Sequence, residues 1–357
     1  TLLGPRQVGK TTLLNQILNS QPHAKILKIN CDNEDERRLL EGKTSTELRA
    51  LVGKNEYVMI DEAQRVENIG LTLKIMGDLK TDANIMVTGS SSLGLGDTIN
   101  EPATGRLIEY NLFPFIHSEL VDASSFLEEH RMLNTRLIYG MYPEVVQFPE
   151  DARRTLLTLT NSYLYKDLLS FDGIRKPALL QNLVRALALQ VGSEVSYNEI
   201  SRLIGVDKQT VEKYVDLLEK CFVVFRLPSY SRNMRNEIKK GKKIYFYDNG
   251  IRNAVLSNFA PPELRTDMGM LWENFLVSER IKRNAYIGNY ANPYFWRTQT
   301  QQEIDYIEEK DGMLNAFEFK WNPKTKASLP KAFMENYPNT SFEVVTPDNY
   351  HSFLSIE

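Results

Sequence analysis

Gly4-Pro5-Arg6-Gln7-Val8-Gly9-Lys10-Thr11 decides how this chain is read. The eight residues satisfy G-x-x-x-x-G-K-T at every position. A glycine-rich turn of this kind lets successive backbone N–H groups point inward as a nest for an anion. A helix that begins at the nest adds its positive N-terminal end. Lys10 then offers a point charge to the β- and γ-phosphates of a nucleotide, and the Thr11 hydroxyl offers a ligand to Mg²⁺. Leu2 and Leu3 read as the end of a buried strand. Leu13, Leu14, Ile17 and Leu18 recur as one apolar helical stripe, so strand, loop and helix follow in order. The alternative is a chance glycine loop before a core helix.

A second stretch supports the first. Tyr57-Val58-Met59-Ile60 is a short apolar run of the kind found in buried parallel strands, and it ends in Asp61-Glu62. An Asp at the C-terminal end of such a strand can hold the Mg²⁺ shell, and the following Glu can orient or deprotonate an attacking water. The expected nucleotide-binding set is therefore Gly4 to Thr12 with Asp61 and Ser90. Thr11 and Asp61 are the metal ligands, Lys10 and Glu62 the catalytic groups, and MgATP the bound species.

The 357 residues are enough for two or three domains, and 42% hydrophobic with 25% charged residues describes a globular chain. A net charge of −3 provides no global attraction to nucleic acid, so any basic surface is local. The two cysteines, Cys31 and Cys221, form no metal or disulfide pattern, which fits a reducing cytosol. No apolar run has the length of a membrane span and no signal peptide is visible, so the expected location is cytoplasmic. The chain opens almost on its phosphate loop, where a first strand usually runs ~5–6 residues. The natural protein is expected to extend upstream.

Residues 1–115 alternate strands and helices, which predicts an open, largely parallel sheet. Strands are expected over Ile26–Asn30, Tyr57–Ile60, Asn84–Val87 and Leu107–Leu112, with helices over Glu34–Leu51 and Ala63–Leu79. The strand at Asn84 runs into Thr88-Gly89-Ser90-Ser91-Ser92. Small hydroxyl residues there can sense a γ-phosphate, or form an ordinary Gly/Ser turn.

The Gly4–Leu14 string, Ile60-Asp61-Glu62-Ala63-Gln64 and Thr88–Ser92 together resemble AAA-superfamily ATPases of bacteria and archaea. In that group the ATPase precedes a nuclease-like C-terminal domain of uncharacterised function. Thr104-Gly105-Arg106, Leu112-Phe113-Pro114-Phe115 with Glu119, and Tyr139-Gly140-Met141-Tyr142-Pro143-Glu144 also match its pattern. The resemblance implies that Arg106 lies near the nucleotide, where a guanidinium from a neighbouring subunit or domain can stabilise transition-state charge. A surface arginine on a loop is the other reading.

Residues 116–175 read as a helical lid over the nucleotide, or as a connector. The stretch 176–240 predicts three helices, a Gly205-Val206-Asp207 turn and a strand at Phe222–Leu227, the order of a winged helix-turn-helix. In a DNA-binding version its third helix offers Lys208, Gln209, Thr210 and Lys213 to the major groove. The same module also serves as a rigid protein-contact domain. Residues 232–243 carry Arg232, Arg235, Lys239, Lys240, Lys242 and Lys243 against Glu237 alone, which reads as a phosphate-contacting patch or a solvated hairpin tip. DNA is the candidate macromolecular partner through both stretches, and oligomerisation is open.

In residues 241–357 an acidic helix residue, Glu273, precedes the strands Glu303–Ile307 and Phe317–Trp321. Alternate residues share a strand face, so Glu303 pairs with Asp305 and Glu318 with Lys320. Glu273, Asp305, Glu318 and Lys320 appear in the order of the PD-(D/E)xK nuclease core, which this region resembles. Such carboxylates bind Mg²⁺ beside a scissile phosphate, and the lysine positions the water. The four histidines form no visible cluster and read as structural. The expected fold is α/β throughout: a P-loop NTPase parallel sheet with a helical lid, a winged helix, and a restriction-endonuclease-like α/β domain. Three functions fit it: an ATP-hydrolysing AAA-type protein acting on or regulated by DNA, an ATP-gated Mg²⁺-dependent DNA nuclease, and a non-enzymatic nucleotide-sensing regulator.

Overall fold

A computed structural model describes residues 1–79, 81–90, 108–164, 177–231 and 241–356. The chain divides into two compact units, Thr1–Phe113 with Lys220–Phe222, and Pro114–Glu219 with Val223–Glu357.

The first unit is built on a five-stranded sheet of β1 (Leu2–Leu3), β2 (Ile26–Asn30), β3 (Tyr57–Asp61), β4 (Asn84–Gly89) and β5 (Tyr110–Asn111), in the order β2-β3-β4-β1-β5. Every pairing is parallel. That arrangement requires both faces to be covered, which explains the unbroken apolar runs. The helix Lys10–Asn19 buries Leu14 and Leu18 on the cluster that holds Leu2 and Met59. Leu13 and Ile17 stay 36% and 42% exposed, so the expected four-residue stripe is a two-residue seam. The single helix expected at 34–51 is two, Glu34–Arg37 and Ser45–Val52. Thr44 starts the second with a capping box, its side chain on the Glu47 N–H and Glu47 reaching back to the Thr44 N–H. The last strand is only two residues long, and Leu107 lies outside the described residues, as do Ser91, Ser92 and Arg106.

In the second unit, residues 116–164 share one compact unit with the C-terminal elements. The helices His117–Ala123 and Leu133–Tyr139 pack with C-terminal elements of the same unit, because their exposed carbonyls and N–H groups find buried partners there. Asn253 donates to Ile138 O at 2.8 Å, and Asn249 to Leu137 O at 3.2 Å. Gly140, at φ 69°, lets Asp248 approach so closely that its carboxylate accepts from Met141 N at 2.7 Å. A Cβ there would sit 2.0 Å from that carboxylate. The Gly140-Met141 segment is thus a structural joint. Helix Ala152–Thr158 is followed by a π-helical Leu159–Leu164, and residues 165–175 of the expected lid lie outside the described residues.

Helices Pro177–Leu189, Tyr197–Ile204 and Lys208–Lys220 accompany an antiparallel sheet of β6 (Glu194–Val195), β8 (Lys242–Phe246) and β7 (Val224–Pro228), in that order. Asp207 caps the third helix, accepting from Thr210 N at 2.7 Å. The described residues on either side of the boundaries expected at 175/176 and 240/241 fall in one compact unit. Those are helix Met268–Tyr286, β9 (Asn292–Arg297), β10 (Glu303–Lys310), β11 (Met313–Phe319), helix Lys331–Asn336 and β12 (Thr340–Val345). Their sheet runs β12-β11-β10-β9, parallel only between β11 and β12. On β10, Ile304 pairs with Trp296 but Ile307 with Tyr294, so one extra residue bulges between them. The bulge lets Ile304 and Ile307 both enter the core with Trp296 and Phe333, which strict alternation forbids.

Three of the four histidines do cluster, contrary to expectation. His117 Nε2 and His351 Nδ1 lie 3.3 Å apart, and the His130 ring stacks on Tyr350, which also touches His117. Separations of 13 and 221 residues hide such a meeting from the sequence.

Candidate nucleotide site and a second acidic centre

The phosphate loop joins β1 to the helix Lys10–Asn19, as the spacing predicts. Gly4 is buried where a Cβ would meet Leu112 O at 2.0 Å. Gly9 has φ 96°, open to glycine, and a Cβ there would meet nothing within 4 Å. Pro5 and Val8 are buried, Arg6 half-buried, and Gln7 exposed at φ 61°. Lys10 is 5% exposed, and its ammonium donates to Gly4 O and Pro5 O, both at 2.8 Å. It lies folded over the loop. Thr11 and Thr12 are exposed at the mouth.

The Thr11 hydroxyl stands 3.1 Å from both carboxylate oxygens of Asp61, 50 residues away at the end of β3. A hydroxyl and a carboxylate at that separation can share one Mg²⁺ shell, so the donor set fits the ion that the loop implies. Glu62 adopts the left-handed region at φ 53°, uncommon for a residue with a Cβ. Its N–H donates to Thr88 Oγ1 at 3.0 Å, and that hydroxyl donates to Asp61 Oδ1. Thr88, read from sequence as part of a γ-phosphate turn, is therefore spent on tying Asp61 to Glu62. Gln64 donates through Nε2 to the Glu62 carboxylate and to Ser90 Oγ, the latter at 2.9 Å. It accepts from Ser90 N at 3.3 Å. Gln64 so links the expected base to the expected sensor. It carries no motif signal beyond its place in Ile60–Gln64.

In the second unit the bulged strand, the long helix and β11 bring Glu273, Asp305, Glu318 and Lys320 together. Lys320 Nζ donates to Glu318 Oε1 at 2.7 Å. Asp305 is half-buried and accepts from Phe319 N at 2.8 Å. Burial, then the charges of Glu273 and Glu318, hold its carboxyl well above the usual range. Burial lowers the Lys320 pKa, but Glu318 and Asp305 more than offset it and the amine sits above its ordinary value. One residue of this centre was missed: Lys243 of β8. Its ammonium, 1% exposed, lies 2.9 Å from Glu273 and 2.6 Å from Glu303. Tyr245 OH donates to the same Glu273 oxygen at 2.7 Å. Sequence analysis placed Lys243 in a basic surface stretch, and the strand pairing turns it inward. Among the described residues no three His, Cys, Asp or Glu side chains are grouped to hold a metal ion. The residues thus converge without fitting the Mg²⁺ cage expected of a nuclease, because ammonium groups fill the spaces between the carboxylates.

Residues 1–121 match the family model described as an AAA domain. Residues 130–261 and 268–352 match two families described as domains of unknown function, DUF8612 and DUF4143. An uncharacterized protein of Mycobacterium tuberculosis is 27% identical over 94% of this chain and 73% of its own length. One of Haemophilus influenzae is 28% identical over 71% of this chain and 68% of its own. One of Methanocaldococcus jannaschii is 22% identical over 99% of this chain and 86% of its own. No helix among the described residues is long and apolar enough to cross a membrane. The N-terminal region is thus similar to an AAA domain and P-loop ATPase-like, a likeness that implies nucleotide binding.

Proposed function

We propose that the first unit binds MgATP and hydrolyses it. The observation that carries this reading is the Thr11 hydroxyl 3.1 Å from both oxygens of Asp61, at the start of the helix that follows the glycine-rich turn. The turn's N–H groups and the helix N-terminus bind the phosphates. The Lys10 ammonium exchanges the Gly4 and Pro5 carbonyls for phosphate oxygens of higher charge. Thr11 and Asp61 hold the metal, which when bound offsets charge developing on the transferred phosphoryl group. Glu62 accepts the proton of the attacking water, with its backbone pinned by Thr88 and its carboxylate by Gln64. Arg106, outside the described residues, is proposed to supply further transition-state charge. Lys10→Ala should abolish tight MgATP binding, whereas Glu62→Gln should bind normally and lose turnover by about 100-fold or more. Wild-type turnover in Glu62→Gln would remove Glu62 from its role.

A second reading concerns the other unit. We infer that residues 177–246 form a winged helix, and that residues 268–345 form a nuclease-like scaffold. The helix, strand, two helices and two antiparallel strands support the first. The helix, three strands, helix and parallel fourth strand support the second. Lys208, Gln209 and Lys213 are exposed at the start of the third helix, which favours contact with DNA there. The donor set of the acidic centre favours binding over cutting, and no cleavage step is derived from it. ATP turnover measured with and without duplex DNA, with the DNA followed on a gel, separates an ATPase regulated by DNA from a nuclease.

A further inference from the structure

The acidic centre of the second unit contains four carboxylates, Glu273, Glu303, Asp305 and Glu318, on one helix and two strands. Metal-dependent phosphoryl-transfer sites neutralise such a group with divalent cations that keep several waters. Here the space is taken. Lys243 Nζ bridges Glu273 and Glu303 at 2.9 and 2.6 Å. The Phe295 ring, 5.4 Å from Nζ, closes another side. The Glu273 oxygen that meets Lys243 also accepts from Tyr245, and Gly192 packs so near that a Cβ would lie 3.1 Å from the same carboxylate. Arg297 stands 3.8 Å from Glu303, and Lys320 engages Glu318.

The backbone of Lys243 is held on both sides. It lies on the central strand of its sheet, paired with Glu194 of β6 and Leu227 of β7. A strand anchored at both edges cannot shift by a residue without reversing its side chains. The ammonium is therefore a resident of the centre rather than a surface charge that has fallen into it.

We infer that Lys243 is the built-in counter-cation of this centre, standing where a divalent ion would stand and excluding it, so that the cluster serves as an electrostatic latch joining β8 to the long helix and β10. This inference is independent of the ATP reading, which concerns the other unit.

The test is Mn²⁺ binding to the nucleotide-free 357-residue chain, followed by electron paramagnetic resonance and thermal unfolding. Wild type should show no bound Mn²⁺ that Asp305→Asn removes. Lys243→Met should unfold several degrees lower, since it leaves Glu273 and Glu303 without the ammonium between them. Millimolar Mn²⁺ should restore the lost stability in that variant, and adding Asp305→Asn should abolish the rescue. If Lys243→Met does not fold, the same comparison is made in Lys243→Met with Glu303→Gln, which removes one unpaired charge. A stoichiometric Mn²⁺ site in wild type that is lost in Asp305→Asn overturns the inference. So does a folded variant lacking Lys243 that gains nothing from Mn²⁺.

Discussion

Acid should weaken the second unit through His117, by an amount that the structure sets. The ring is 3% exposed, and burial, followed by the nearby His351, Arg136 and His130, lowers its pKa from 6.5 to about 4. A depressed histidine pKa means that the unfolded chain binds the proton more readily than the folded one. Stability from this group is therefore whole above pH 6.5, and it falls as pH drops towards 4. Between pH 7 and pH 5 the loss is about 2 kcal/mol, from the two pKa values and about 1.4 kcal/mol per decade. Other buried groups work the opposite way. Burial raises Asp248, Glu279 and Asp305, so each favours the folded state as it gains a proton. The measurable quantity is thus the difference between wild type and His117→Gln, which retains a polar group toward His351 but does not titrate. All three tryptophans, Trp272, Trp296 and Trp321, belong to the second unit, so fluorescence during urea unfolding reports it selectively. Wild type should lose about 2 kcal/mol more than the variant between pH 7 and 5. Parallel curves, or an imidazole resonance of His117 titrating near 6.5, would refute the reasoning.

Two further outcomes are expected. Gln64→Leu should leave ATP affinity near wild type and lower kcat by about 10-fold or more, because Glu62 and Ser90 lose the amide that links them; a matching rise in KM with kcat intact would instead mark Gln64 as a binding residue. Arg136→Met should destabilise the second unit by about 3–5 kcal/mol, because Glu129 is then buried without its bidentate partner at 2.8 and 2.9 Å. Adding Glu129→Leu should recover much of that loss, and no recovery in urea titrations would contradict the account.

Local sequence determined the phosphate loop, since nest, helix start and ligand hydroxyl are all formed by neighbours along the chain. Asp61-Glu62 was legible for a similar reason: a buried parallel strand is a continuous apolar run, and its end is visible where polar residues begin. Capping was legible too at Asp207, which needs only a partner three residues on. The partition of the chain was not. That residues 116–164 join the C-terminal elements depends on buried contacts more than a hundred residues apart, such as Asp248 to Met141. The order Glu273, Asp305, Glu318, Lys320 could be read from strand alternation, but the charge that balances them could not. Lys243 belongs by sequence to a basic run and by structure to the interior, because the pairing of a central strand, and not the composition around it, decides which way a side chain faces. The same holds for Gln64 and Thr88. Their amide and hydroxyl acquire a role only when parallel strands set the ends of β3 and β4 side by side.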